Sequence, residues 1–460
     1  MNIKVKDIIK TCNAKLIFGN TEEICENFSK DTRQIQEGDV YIGIKGENFD
    51  GNEFFEKALE QGAKVCILEN IEIPEEIKSK YADRTIIQVS NTIKALQQIA
   101  TYKRSLYNIP VIAVTGSVGK TSTKDMLASV ISKKYKVLKT QGNLNNQIGL
   151  PLTILKLKDH TAMVVEMGMN QLGEISKLTN IAKPTICVIT NVGTSHIANL
   201  GSRENILKAK LEILEGMQEN GSLVINNDND MLNQWNKTNN KYNVITFGIE
   251  NKSDVMATNI ELKEYSSQFN AITSNEKLEV EVPVGGKHFV YNGICAIAVG
   301  KLLNIESNDI LTGIKEFELT KNRMEVKKNK NEVTIINDCY NANYDSMKAA
   351  IEYLAKLNNK RKIAVLGDML ELGKYSKELH EKVGEEIVKN KIDILITVGT
   401  EAKNIGNKAI ELGYKTEKIY SLESTEEAIA KLQEILLPQD AVLIKASNGM
   451  HFNKIVEKII

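Results

Sequence analysis

The run Thr115-Gly116-Ser117-Val118-Gly119-Lys120-Thr121 has the residue types and spacing that hold a polyphosphate. Glycine lets the backbone turn tightly, so that successive N–H groups converge on phosphate oxygens. Lys120 adds a positive charge, and the Thr121 hydroxyl suits a Mg²⁺ that bridges two phosphates. The longer Walker pattern asks for glycine where this chain has Val114, so the match is to the shorter form G-x-x-G-K-T. A glycine-rich turn with a surface lysine would carry the same letters. Context separates the two readings. VIAVTGS (111–117) is a short β-branched run that stops at glycine, and a long helical stretch begins near Lys120. Strand, loop and helix are what a phosphate loop requires. Gly116, Ser117, Val118, Gly119, Lys120, Thr121 and Ser122 are therefore read as binding ATP.

Further chemistry clusters after similar strands. Glu166 ends MVVEMG (163–168), and His196 follows TICVITNVG (185–193). Both are expected at the sheet edge that carries the loop. A carboxylate and an imidazole there could hold a second Mg²⁺, although Mg²⁺ ordinarily takes oxygen ligands. His196 would serve equally as a loop histidine with a local hydrogen bond. Next, Ser202 fits a helix N-cap with Glu204 in the first turn. Lys208 and Lys210 are two residues apart on that helix, so at most one faces the site. The loop QGNLNNQIG (141–149) offers amides without charge, among them Asn143 and Asn146. Such amides contact a substrate or simply make turns.

The elements that must position these groups fall into three units. Residues 1–107 read as a small α/β unit, with strands at GDVYIGIKG (38–46), AKVCILE (63–69) and ADRTIIQV (82–89) and a helix over 91–107. Residues 108–318 alternate apolar strands with helices, and SLVINND (222–228) is a further strand. Short strands with turns follow over about 255–290, then a helix at YNGICAIAVGKLL (291–303). Residues 319–460 repeat the alternation at VTIIND (333–338), KIAVLGDM (362–369), DILITVG (393–399) and AVLIKAS (441–447). Strands apolar throughout and separated by helices predict mainly parallel sheets, with ligands beyond the carboxyl ends of the strands. The fold class is α/β in three domains, the last one Rossmann-like.

Bulk properties exclude several classes. The 460 residues exceed one ordinary core, and 42% hydrophobic with 26% charged residues is a globular composition. Lys plus Arg equals Asp plus Glu at 59, so no general affinity for nucleic acid or membrane surfaces is expected. The six cysteines form no C-x-x-C pair and no zinc spacing, as expected of buried reduced thiols. The N-terminal MNIKVKDIIK lacks a signal-peptide core, and no run is long and apolar enough to span a bilayer. A cytoplasmic monomer without membrane insertion or nucleic-acid partners is the expectation.

Taken in order, TGSVGKTS, TQGNLNNQIGLP (140–151), EMGM (166–169), NVGTSHIANLGSRENILKAKLEI (191–213), NRM (322–324), INDCYNANYDSM (336–347) and LGDMLELG (366–373) resemble the Mur ligase family over essentially the whole chain. SKDTRQIQEGDVYIGIKGENFDGNEF (29–54) resembles that family's UDP-binding domain. INDCYNANYDSM and LGDMLELG point to the branch that joins D-alanyl-D-alanine to UDP-N-acetylmuramoyl-tripeptide for peptidoglycan synthesis. The resemblance implies an N-terminal UDP-sugar domain, a central ATPase and a C-terminal Rossmann-like domain. It implies that Lys120 contacts phosphates, that Thr121 holds one Mg²⁺, and that Glu166 and His196 belong to a second Mg²⁺ site. Lys210, not Lys208, falls on the family lysine that is carbamylated. Asn292 matches a residue near the adenine. Arg323 and Asp338 match residues that close over the nucleotide, with Asn341 nearby, and Asp31, Thr32 and Arg33 fall in the UDP-substrate segment.

Three positions depart from the family pattern: Tyr344 replaces the usual proline, Phe289 follows His288 where asparagine is usual, and Ser195 stands where alanine is common. Rival readings are a sibling ligase with another amine, a folate-type ligase, a phosphate-loop regulator and a non-catalytic scaffold. The first domain argues against the folate type. The Glu166, His196 and Lys210 set is not needed by a regulator, and an intact Lys120 and Thr121 argue against a scaffold.

Overall fold

The computed structural model describes residues 2–460. Its strands form three large sheets and one small two-stranded ribbon. The first large sheet has the order Lys15–Phe18, Thr85–Val89, Val65–Glu69, Val40–Ile42, Phe28–Ser29, parallel except for its first pair. The run 38–46 contributes only Val40–Ile42 to this sheet. Beyond it the chain turns, and Lys45 bridges to Asp50 outside the sheet.

The middle sheet has nine strands. The strand Val111–Thr115 lies between Ala162–Glu166 and Ile186–Ile189, with all pairings parallel. Chain order reverses direction across the sheet at this strand, so a crevice opens at its carboxyl end. Val111–Val114, Met163–Val165 and Cys187–Ile189 are fully buried. That accounts for runs without polar alternation. Parallel pairing continues through Ser222–Asn226, Asn243–Gly248 and Val255–Leu262, and an antiparallel meander, Ser267–Ile272 and Lys277–Val282, closes the edge. The strands expected around 255–290 thus end at Val282. The helix that follows starts at Lys287, four residues before the apolar run that announces it.

The third sheet runs Glu325–Lys328, Thr334–Asn337, Ala441–Lys445, Lys362–Gly367, Ile394–Val398, Ile419–Leu422, parallel except at its first strand. Helix Tyr344–Lys356 leaves it toward the middle unit. Its first turn is a capping box: Asn343 accepts from Ser346 N–H, and the Ser346 hydroxyl accepts from Asn343 N–H. Tyr344 occupies the first helical position, where proline is favoured because that N–H needs no partner. Tyrosine fits that position, and its hydroxyl donates to the buried Glu386 carboxylate at 3.3 Å.

The units are tied by polar as well as apolar contacts. Arg104, on the helix Thr92–Ser105, donates to the carbonyls of Ala182 and Lys183 at the end of the helix Glu174–Ala182. A guanidinium there satisfies carbonyls left without helical partners and meets the negative end of the helix dipole. All six cysteines are buried and free. No helix among the described residues is long and apolar enough to cross a membrane.

One buried histidine makes the third unit sensitive to acid. His380 is fully buried; Met369 N–H donates to its Nε2 at 3.0 Å, and its Nδ1 lies 2.7 Å from the Ser376 carbonyl. This arrangement needs a neutral ring, and burial holds the pKa below the ordinary 6.5. The stabilisation is complete above pH 6.5 and is lost as pH falls through the folded-state value. Wild-type melting temperature is therefore expected to fall more between pH 7 and pH 5 than that of His380→Gln, whose amide oxygen accepts the same bond without titrating. Parallel slopes in thermal melts would count against it.

Candidate active site

The phosphate loop rests on the segment that leaves the neighbouring strand. Gly116 has φ +155°, and a Cβ there would fall 1.9 Å from Thr190 Oγ1. No larger residue fits. The Asn191 side chain accepts from Ser117 N–H at 3.1 Å and Val118 N–H at 3.0 Å, and its amide donates to the Val118 carbonyl at 3.1 Å. Thr190 donates to the same carbonyl at 2.7 Å. Gly119 is left-handed and caps the helix Lys120–Ile131, so the helix N-terminus opens beside the loop. Lys120 Nζ folds back on the Gly116 carbonyl at 2.9 Å. Burial lowers its pKa, with Arg323 acting in the same sense and Glu166 against.

Thr121 and Glu166 meet as expected: the hydroxyl donates to Glu166 Oε2 at 2.8 Å. The second carboxylate oxygen accepts from Asn145 Nδ2 at 2.7 Å. Asn145 is thus the amide that reaches the carboxylate. Asn146 instead accepts from Ile148 and Gly149 N–H at the start of the helix Gly149–Leu155, and Asn143 is exposed; both still line the cleft. Three amides within four residues gave no pattern by which to choose.

His196 has φ +61°, an uncommon backbone for histidine. Its Nδ1 is buried without a hydrogen bond; Glu371 Oε2 is 3.0 Å away but out of line for one. Burial, with Lys120 and Lys210 adding to it, pushes the imidazole pKa down to about 4, so the ring is neutral and its nitrogen is open to a ligand. The two lysines separate as helix geometry requires. Lys208 is exposed, while Lys210 is 1% exposed on the helix Arg203–Leu211, and its amine has no hydrogen bond or ion pair with another described residue. Burial, and secondarily Lys120, puts its pKa well below the ordinary lysine range. Just beyond it Glu212 accepts from Gly173 and Ser176 N–H, which fastens this helix to the start of the earlier helix Glu174–Ala182. Among the described residues no three His, Cys, Asp or Glu side chains gather into a metal site. The donors at hand are Thr121, Glu166, His196 and, nearby, an amine.

A cleft of about 660 Å³ joins these groups to the third unit. On one wall Phe247, Tyr291 and Cys295 surround Asn292, whose oxygen accepts from Thr123 at 3.0 Å while its Nδ2 is buried and unpaired. An apolar slot with one free donor suits a planar base. On the opposite wall Arg323 stacks on Tyr340, 3.8 Å from the ring centre, with Nε also buried and unpaired. The left-handed residues Asn322 and Met324 flank it. Asp338 accepts from Met324 N–H at 3.1 Å and from Lys445 Nζ at 2.6 Å; Lys445 also donates to the Asn341 carbonyl at 2.8 Å. Lys445 ends a buried apolar strand, the one hint of its role in the sequence. Asp31, Thr32 and Arg33 are not in this cleft. They lie on the first unit around the turn Thr32–Gln34, where the Arg33 fork grips Asp31 at 2.7–2.9 Å.

Comparison with known proteins gives three family matches in chain order. Residues 27–104 match "Mur ligase family, catalytic domain", 114–300 "Mur ligase middle domain" and 322–448 "Mur ligase, glutamate ligase domain". The chain is 36% identical over 459 residues to the UDP-N-acetylmuramoyl-tripeptide–D-alanyl-D-alanine ligase of Bacillus subtilis, covering 99% of this chain and 98% of that one. Its fold is similar to a crystal structure of MurF from Acinetobacter baumannii, with TM-score 0.90, 29% identity and coverage of 100% and 99%. MurF ligase from Thermotoga maritima in complex with ADP aligns with TM-score 0.82 at 29% identity, over 94% and 96% of the two chains.

Arg323 has a free buried donor and no carboxylate of its own, so its charge is available to an anion in the cleft. Arg323→Ala is expected to slow phosphoryl transfer from ATP by about tenfold or more. Unchanged initial rates of phosphate release would contradict this.

Proposed function

This chain belongs to the Mur ligase family, and on that premise we infer that it uses ATP to join D-alanyl-D-alanine to UDP-N-acetylmuramoyl-tripeptide, making the pentapeptide precursor of peptidoglycan. The observation that carries this reading is one cleft walled by two sheets, with the phosphate loop on one side and Arg323, Asp338 and Asn341 on the other. An enzyme that only cleaved ATP would not need the second wall.

The reaction has two steps. An oxygen of the tripeptide's terminal carboxylate attacks the γ-phosphorus of ATP, and ADP leaves with the electrons of the broken P–O bond. The dipeptide amine then attacks the acyl phosphate carbonyl, gives up a proton, and expels phosphate. Gly116 to Ser122 hold the triphosphate. Lys120 and Arg323 offset its charge and that of the incoming carboxylate. Asn292 Nδ2 and the apolar residues around it hold the adenine. Asp338, fixed by Lys445, holds the Met324 N–H and so the backbone beside Arg323. The third unit covers the reacting groups and excludes water, which would hydrolyse the acyl phosphate. Asp31, Thr32 and Arg33 hold the far, UDP end of the substrate, and Asn143 and Asn146 lie along its path to the cleft.

Mg²⁺ fits this donor set. The Thr121 and Glu166 oxygens adjoin one another, and His196 keeps a neutral, unpaired nitrogen. Bound Mg²⁺ would neutralise phosphate charge. Burial disfavours the charged form of Lys210, and the neutral amine is the form that takes up CO₂. As a carbamate it would add an anionic oxygen donor to that of Glu166. We place the domain boundaries at 1–107, 108–318 and 319–460, and read the enzyme as a cytoplasmic monomer whose partners are its small-molecule substrates.

Two experiments test this reading. Phosphate release from ATP with UDP-N-acetylmuramoyl-tripeptide is expected to depend on added D-alanyl-D-alanine; release indifferent to the dipeptide would overturn the assignment. Lys210→Ala is expected to lose activity by about 10²-fold or more, as for loss of a transition-state charge partner. Short carboxylic acids should restore part of it. A variant as active as wild type, or one that no acid rescues, would remove the carbamate from the account.

A further inference from the structure

Several contacts cross from the third unit onto one segment of the middle unit. Asn343 Nδ2 donates to Ser195 Oγ at 2.6 Å, Thr194 N–H to Asp345 Oδ2 at 3.3 Å, and the Tyr375 hydroxyl to the Gly201 carbonyl at 2.8 Å. The other face of the same segment lies on the phosphate loop. Gly193 N–H donates to Ser117 Oγ at 2.9 Å, and Ser195 Oγ donates to the Ser117 carbonyl at 3.1 Å. Ser195 is the one side chain in both sets, and it is buried.

A hydroxyl has one proton to give and lone pairs to receive. Here the proton goes to the phosphate loop and a lone pair takes the amide of the third unit. The acceptor is well placed to matter. The Ser117 carbonyl and the Val118 N–H belong to one rigid peptide plane. That plane is held at its N–H by Asn191 Oδ1 and at its carbonyl by Ser195. With Asn343 in place the Ser195 rotor is fixed and its O–H is polarised, which strengthens the bond to Ser117. With Asn343 withdrawn the hydroxyl is free to turn, and one of the two restraints on the plane weakens.

We propose that Ser195 is a positioning residue that relays engagement of the third unit to the phosphate loop, through the chain Asn343 to Ser195 to Ser117. The inference rests on the ligase reading, since it supposes that the third unit brings in the amine substrate. It makes the loop best shaped for phosphoryl transfer when that unit is docked. ATP cleavage is thereby linked to the presence of the groups that will use it.

The test is a double-mutant cycle with Ser195→Ala and Asn343→Ser. Serine keeps the helix cap at 343 but is too short to reach Ser195. Each single substitution is expected to lower kcat/KM for ATP about three- to tenfold, the range for one hydrogen bond. The double variant is expected to fall no further than the weaker single. KM for the UDP-linked substrate and the melting temperature should stay at wild-type values, and Ser195→Thr should recover the rate. Additive losses, or Ser195→Ala indistinguishable from wild type, would overturn the relay. A purely stabilising pair would lower the melting temperature and leave kcat/KM unchanged, which also overturns it. Wild-type enzyme assayed with and without D-alanyl-D-alanine is the control: if its phosphate release ignores the dipeptide, the ligase reading fails instead.

Discussion

The contact between Gly116 and Thr190 is the constraint on which the site depends. It leaves no room for a side chain, so the loop backbone lies directly on the segment leaving the adjacent parallel strand. Asn191 then uses both ends of its amide to shape the next two residues. A flexible glycine loop becomes a preorganised one, and its ordering is done before any ligand arrives. Lys120 and Thr121 take their places from that loop. Glu166 reaches Thr121 because its strand is the neighbour on the other side.

The electrostatics follow from the same placement. The chain as a whole is neutral, but Lys120 and Arg323 both line one cleft. Half-buried cations without carboxylate partners are costly, and a fold gains nothing by bringing two together. A polyphosphate and a carboxylate supply the missing charge. Lys445 is the contrast. It is paired with Asp338, which also accepts from Met324 N–H, so its charge is already matched.

The departures from the family pattern read differently once placed. Tyr344 sits where proline would, and the helix start is unchanged by it. Phe289 is buried in the middle unit, in tilted contact with Phe317. Ser195 alone adds a polar group at a contact between units, with hydrogen bonds on both sides.

Much of this was legible in the sequence. The phosphate loop was, because its function is a property of seven consecutive backbone units. The parallel sheets were, because strands buried on both faces leave long apolar runs. Edge strands such as Lys15–Phe18, Val137–Lys139 and Glu325–Lys328 carry no such run and were not announced. The helix faces of Lys208 and Lys210 were separable by spacing, though not which of them pointed inward. Partner choice was decided only by the tertiary structure. Asn145 rather than its neighbours reaches Glu166, Asp338 finds Lys445 107 residues away, and Asn343 finds Ser195 across 148. The physical reason is that local geometry is set by a few adjacent dihedral angles. Which side chains meet depends on strand order and on how separate units pack, and neither leaves a periodic trace in the chain.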